Sequence, residues 1–358
     1  MLNPDIKFNP KIFTEKIKQI SIRDGFGEGL VLAGEMDERI VVLCADVTES
    51  LRMNLFKNRF PERFIELGIA EQNMAGLASG LAAAGKIPVM GSYAVFSPGR
   101  NWEQIRTTIC YNQQKVVLVG SHAGLNVGPD GASHQALEDI ALMRVLPNMA
   151  VVCPADGLEA RKAILKAIDY PFSVYIRLAR EKSPLITSEE TPFEIGKSQV
   201  FWSPSVIASE PAGERACTPK CVTARRRGNL IDEQFSGITI FACGYLVYKA
   251  LEAAKELEQE GILVTVINNS AIKPLDKETV LEWAKKSKAI ITLEEHQIAT
   301  GMGSAIAEFL SENYPLPIKF MGINDTFGES GKAEELIEKY ELDKQAIKQT
   351  VYDIIKVI

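Results

Sequence analysis

Glu71 is the lone acid of an otherwise small and apolar run, Gly68-Ile-Ala-Glu-Gln-Asn-Met-Ala-Gly-Leu-Ala-Ser-Gly-Leu-Ala-Ala-Ala-Gly85. The run reads as a helix with Glu71 in its first turn. The helix macrodipole alone is a sufficient reason for an acid there. In a packed helix, however, a carboxylate is costly unless a ligand or partner uses it. A second segment, Gly128-Pro-Asp-Gly-Ala-Ser-His-Gln135, sets Asp130 and His134 on a loop punctuated by glycine. His122 lies just upstream, so two of the chain's three histidines share this region. Polar loop residues or a helix cap at Ser133 would explain the segment structurally. Glycine and proline at this density instead suggest backbone shaped around a ligand.

Other side chains become relevant as a set. Arg23 in Ser21-Ile-Arg-Asp-Gly25 and Arg180 in Ile176-Arg-Leu-Ala-Arg180 carry guanidinium forks that suit a phosphate dianion. Ser50 follows Asp46 in Ala45-Asp-Val-Thr-Glu-Ser50. Tyr93 and Phe96 lie in Gly91-Ser-Tyr-Ala-Val-Phe-Ser-Pro-Gly-Arg100, where aromatics are ordinarily core. Arg100 reads equally well as a substrate contact or a structural residue. His296 reads as structural, at a domain contact.

The elements that must position these groups are legible as short β-branched runs: residues 40–45, 115–120, 149–153 and 172–177. Continuous apolar runs of this length suit strands buried on both faces of a parallel sheet. Helical stretches alternate with them, as at residues 155–168, which implies right-handed βαβ units. A second set follows: strands near 238–244, 262–268, 289–293 and 318–322, with an amphipathic helix over about 246–260. The fold expected is α/β, two doubly wound domains with mainly parallel sheets. The first spans 13–185 and the second 238–358. Between them lies a linker over 186–237, and its part 202–237 lacks any period and reads as an irregular, disordered insertion. Cys217 and Cys221 there lack the further ligands a metal site needs, and Arg225 to Arg227 read as a solvated charge run.

Composition narrows the function classes. At 358 residues, 46% hydrophobic and 24% charged, the chain is an ordinary globular sequence with room for two domains. A net charge of −6 speaks against nucleic-acid or anionic-membrane partners. No apolar run reaches membrane-spanning length, and the N-terminus has no signal-peptide core. Of the six cysteines, Cys44, Cys110, Cys153 and Cys243 fall in apolar segments. They read as reduced core thiols of a cytoplasmic protein with no metal site of its own.

Together, the Glu71 run and the Asp130–His134 segment resemble the pyrimidine-binding half of transketolases, and the likeness extends over nearly the whole chain outside the insertion. It implies thiamine diphosphate as cofactor. Glu71 would push the aminopyrimidine into its imino form, whose nitrogen takes the thiazolium proton to leave a nucleophilic ylid. A buried carboxyl that shares its proton suits this role. Tyr93 and Phe96 would pack on the pyrimidine, with Asp46 near the thiazolium. Asp130 would contact a substrate hydroxyl, and His134 would hydrogen-bond the donor's carbonyl or hydroxyl oxygen. His122 would help bind the sugar phosphate, gripped by Arg23, Ser50 and Arg180.

The resemblance also has a gap. Transketolases hold the diphosphate and its Mg2+ with Gly-Asp-Gly followed downstream by Asn, and this chain has no such pair. It therefore looks like the C-terminal half of a split transketolase. The expected assembly is a homodimer of this chain within a heterotetramer, with an N-terminal subunit carrying the metal and diphosphate. The reaction implied is transfer of a two-carbon ketol unit from a ketose phosphate to an aldose phosphate. Three rivals share the fold: the beta subunit of a 2-oxo acid dehydrogenase, a deoxyxylulose-phosphate synthase-like enzyme, and a non-catalytic regulatory subunit.

Overall fold

The computed structural model describes residues 1–204 and 237–357. Strands Ile40–Cys44, Val117–Ser121 and Ser173–Arg177 are buried at every position, as their unbroken apolar runs require. They belong to a seven-stranded sheet. Its order is Ala271–Lys273, Met149–Val152, Ser173–Arg177, Val117–Ser121, Ile87–Tyr93, Ile40–Cys44 and Phe64–Glu66. All neighbours pair in parallel except the antiparallel edge strand Ala271–Lys273. Successive side chains divide between two cores: Ile40, Val42 and Cys44 on one face, Val41 and Leu43 on the other. That split is what a sheet covered by helices on both faces must show.

A second, five-stranded sheet runs Ile318–Ile323, Ser287–Gln297, Gly237–Ala242, Val264–Asn268, Gln199–Trp202. It too is parallel apart from the antiparallel edge strand Gln199–Trp202. The α/β class with mainly parallel sheets, expected from the alternation of strand and helix, is the architecture found.

Two findings change the expected organisation. Ala271–Lys273 belongs by sequence to the second unit, yet it closes the open edge of the first sheet against Met149–Val152. Covering an unpaired edge satisfies backbone groups that would otherwise face water alone. Trp202, taken as the start of the irregular insertion, is 5% exposed and ends a strand. Its neighbour Val266 and an edge contact from Phe13 hold it there. Gly237 at the other margin starts a strand. The rest of that segment, with Cys217, Cys221 and Arg225 to Arg227, lies outside the described residues.

Helix Ile22–Met36 crosses helix Gly157–Asp169 at very close range. A Cβ on Gly25 would sit 1.8 Å from the carbonyl oxygen of Gly157, so only glycine permits the approach. Ser21 and Asp24 form a capping box at the start of the first of these helices. The result is a fixed N-terminal turn, with Arg23 inside it, standing at the carboxyl ends of the parallel strands. In open α/β sheets that is where ligands bind.

Candidate active site

Arg23, Ser50, Tyr93, His122 and Arg180 come from five separated stretches and meet at those strand ends. Arg23 Nη1 donates to the Ser50 carbonyl at 2.6 Å, and Nη2 donates to the Arg180 carbonyl at 2.7 Å. Arg23 Nε reaches Ser21 Oγ at 3.2 Å. Tyr93 donates its hydroxyl to Ser50 Oγ at 3.1 Å. Burial, then the neighbouring Arg52, pulls the Arg23 guanidinium down to about 10, so it stays charged at neutral pH. Arg180 Nη1 donates to the Val127 carbonyl at 2.7 Å. The guanidinium groups of Arg23, Arg52 and Arg180 thus share one corner, with Arg52 paired to Asp24 at 2.6 Å.

His122 stands in the middle of this corner. Its backbone is left-handed, with φ of +54°, a strain that costs energy and that functional sites often store. Arg23 Nη1 lies 3.4 Å from His122 Nε2. A guanidinium can only donate, so Nε2 is the acceptor and the ring proton is assigned to Nδ1, 2.8 Å from Ser121 Oγ. Burial first, then Arg23 and Arg180, push the imidazole down to about 3. The unfolded chain therefore binds a proton on this ring from about pH 6.5 downward while the folded chain does not. Stability at this position is present above that pH and falls progressively as pH drops towards 3. The His122 imidazole is expected to show no titration between pH 8 and 5 by NMR of the free chain. A midpoint near the ordinary value would mean that the ring faces water instead of the arginines.

The Glu71 end of the site joins the same surface. Glu71 opens helix Glu71–Ala83, as expected for a first-turn acid, and its side chain is 4% exposed. Arg100 Nη1 donates to Glu71 Oε1 at 3.0 Å. The same guanidinium lies over the Phe96 ring at 4.0 Å. Phe96 stacks on Tyr93 with centroids 5.9 Å apart and meets the His134 ring edge-on at 5.4 Å. Tyr93 in turn packs on His122 at 4.0 Å. An unbroken series of contacts thus runs from the buried carboxyl, over the two aromatic rings, to the arginine corner.

Not every residue picked out in the sequence joins it. Asp46 is exposed and left-handed at φ of +60°, and its backbone N–H donates to Glu66 Oε1 at 2.8 Å. Asp130 is also exposed; its carbonyl accepts from Ser133 Oγ at 3.2 Å. His134, by contrast, does join it through Phe96, and its Nδ1 lies 2.9 Å from Ser133 Oγ. His296 sits elsewhere, buried between the two units, where its Nε2 accepts from the Ala141 N–H at 3.3 Å.

Sequence reasoning missed several supports. It left Arg100 undecided, because an ion pair to a residue 29 positions away leaves no local signal. It missed Asn101, fully buried, which donates to both the Glu71 carbonyl and Ser97 Oγ at 3.1 Å. An asparagine in an apolar setting directly after Arg100 was the available clue. It also missed Glu159 and Glu295, whose carboxyls burial pushes up to about 7. Both tie the two units together, Glu159 through Asn268 Nδ2 at 2.8 Å and Glu295 through the Asn126 N–H at 2.9 Å.

Residues 18–184 match the family model of the transketolase pyrimidine-binding domain, and residues 229–347 match that of the transketolase C-terminal domain. A protein of Methanocaldococcus jannaschii named for the C-terminal section of transketolase is 38% identical over 339 residues, 94% of this chain and 96% of its own. The 6-deoxy-6-sulfo-D-fructose transketolase subunit of a Clostridium species is 34% identical, over 96% of this chain and 97% of its own. Among solved structures, a split-gene transketolase in an inactive β4 tetramer superposes with a TM-score of 0.78 at 41% identity. That match covers 93% of this chain and 98% of the other.

Proposed function

The chain belongs to the transketolase family, corresponding to the C-terminal half of a split transketolase, and on that premise we propose that it is the pyrimidine-binding subunit of a thiamine diphosphate-dependent ketol transferase. The observation that carries this reading is the series of contacts from Glu71 across Phe96 and Tyr93 to Arg23 and Arg180. The donor set fits an aminopyrimidine: a buried carboxyl beside two aromatic rings offers one strong hydrogen-bond partner and an apolar cradle. When bound, thiamine diphosphate would supply an acidic carbon that can serve as a nucleophile toward a ketose carbonyl. Glu71 holds or releases the proton that makes this possible. Phe96 and Tyr93 would orient the ring and exclude water; Asp46, exposed and outside this series, is assigned to the thiazolium side on the family resemblance alone.

His134, edge-on to Phe96, holds the substrate oxygen on which charge develops. Asp130 takes a sugar hydroxyl. Arg23, Arg180, Ser50 and neutral His122 receive the terminal phosphate of the ketose or aldose. A relative named for a sulfo-sugar suits the same corner, since a sulfonate is also a tetrahedral oxyanion. In this reading Arg180→Ala lowers kcat/KM for phosphorylated sugars by about 1.5–3 kcal/mol, roughly ten- to a hundredfold, for one charged hydrogen bond lost. Unphosphorylated sugars serve as the control, and an equal loss on both kinds would put the phosphate elsewhere.

Among the described residues, no group of His, Cys, Asp and Glu side chains gathers to hold a metal, and the sequence carries no Gly-Asp-Gly followed by Asn. The likeness to a transketolase C-terminal section and to a split-gene transketolase supports assigning the Mg2+ and diphosphate to an N-terminal partner subunit, two copies of each chain forming a heterotetramer. No helix among the described residues is long and apolar enough to cross a membrane, and the described cysteines are free and buried. Reduced thiols suit a cytoplasmic setting. The decisive experiment is calorimetry with and without the partner. The chain alone is expected to show no saturable heat with thiamine diphosphate and Mg2+, and the mixture to bind both and transfer a ketol unit. Tight magnesium-dependent binding by the chain alone would overturn the split-enzyme reading.

A further inference from the structure

The loop that carries Asp130 and His134 is held within its own unit, where the Val127 carbonyl accepts from Arg180 Nη1 at 2.7 Å and Asn126 Oδ1 accepts from the Glu181 N–H at 2.6 Å, and it is also held from outside that unit. On one side, the Asn126 N–H donates to Glu295 Oε1, 2.9 Å away on strand Ser287–Gln297 of the second sheet. On the other, Gln135 is 3% exposed and sends Nε2 to the Glu329 carbonyl at 3.1 Å. That carbonyl belongs to the turn following strand Ile318–Ile323. The fit of turn against loop is tight. A Cβ on Gly328 would lie 1.8 Å from Gln135 Oε1, and one on Gly131 would lie 2.4 Å from Ser330 Oγ. Between the two anchors the backbone bends through Gly128 and Gly131, with φ of +74° and +69°. Glycine has no side chain to restrain such a bend, so the contacts made from the second unit add to those from Arg180 and Glu181 in holding it.

We propose that the second α/β unit is the positioning element of this loop: Glu295, acting through Asn126, and the 328–330 turn, acting through Gln135, set where Asp130 and His134 stand before substrate arrives. Neither Glu295 nor Gln135 touches substrate; both act through the loop. The proposal rests on the reading of Asp130 and His134 as substrate contacts. If the anchors are lost, ordering of the loop is charged to substrate binding. The effect falls on KM more than on kcat, and cofactor activation at Glu71 is untouched.

The test compares the full chain and its complex with the partner. In Glu295→Ala, hydrogen exchange of the 125–135 amides is expected to rise about tenfold, with KM for a sugar phosphate rising by a similar factor. Thiazolium-proton exchange in the complex stays at the wild-type rate. Glu295→Gln keeps an acceptor oxygen for the Asn126 N–H and returns both quantities to near wild type. Gln135→Leu cuts the other anchor, together with the longer bonds from the same amide to the Leu125 and Gly128 carbonyls at 3.4 and 3.5 Å, and gives the same pattern as Glu295→Ala. The proposal is overturned if loop exchange and KM stay unchanged in both anchor variants, or if exchange rises equally across the whole second sheet in both. If the loop loosens as expected while the wild-type complex transfers no ketol unit, the positioning role stands and the substrate reading fails.

Discussion

Glu71→Gln is expected to lower ketol transfer by the assembled enzyme roughly 10²–10⁴-fold, the span of one well-placed acid–base group. The expectation comes from what the substitution keeps and what it removes. The side chain is almost fully buried and accepts from Arg100 Nη1 at 3.0 Å. An amide oxygen can take that bond, and the Asn101 bond to the Glu71 carbonyl is a main-chain contact that the change does not reach. The helix start and the assembly should therefore survive. What disappears is the ability to hand a proton to and from the pyrimidine. Exchange of the thiazolium proton in the assembled complex isolates that step from sugar binding. An unchanged exchange rate would reduce Glu71 to a helix-start acid held by Arg100.

His134→Ala is expected to fail at a different step. Turnover should drop by about 100- to 1000-fold, the range for one donor to a developing oxyanion, while thiazolium-proton exchange stays near the wild-type rate. The ring is positioned for this by three neighbours: Ser133 Oγ at 2.9 Å, Phe96 at 5.4 Å and Tyr93 at 6.1 Å between centroids. Phe96 and Tyr93 keep their own stack at 5.9 Å without it, so the cofactor face of the site loses little. Slower proton exchange with normal sugar handling would move the loop to the cofactor site and refute its assignment to substrate. The two variants thus separate cofactor activation at Glu71 from substrate handling at His134.

How much of this was legible depends on how local each signal is. The runs at Ile40–Cys44 and Ser173–Arg177 could be read as central parallel strands because both faces are buried, which forces every position to be apolar. The first-turn position of Glu71 follows from the helix beginning where its small apolar run begins. The edge strands Gln199–Trp202 and Ala271–Lys273 could not be read: each is short, pairs on one side only, and carries no period. Read from composition alone, the insertion begins at Trp202 and the two sheets divide more cleanly than they do in the fold.

The sequence by itself determined the α/β class, the family resemblance and the residue types on which the proposed chemistry rests, because buried strands and glycine-bent loops impose their composition locally. Tertiary structure alone decided which polar groups meet. Arg100 finds Glu71 across 29 residues, Arg23 finds Arg180 across 157, and Glu295 reaches Asn126 across 169. Such contacts arise where the carboxyl ends of parallel strands and the second unit converge. Side-chain order along the chain carries no trace of a distance set by how helices and sheets pack.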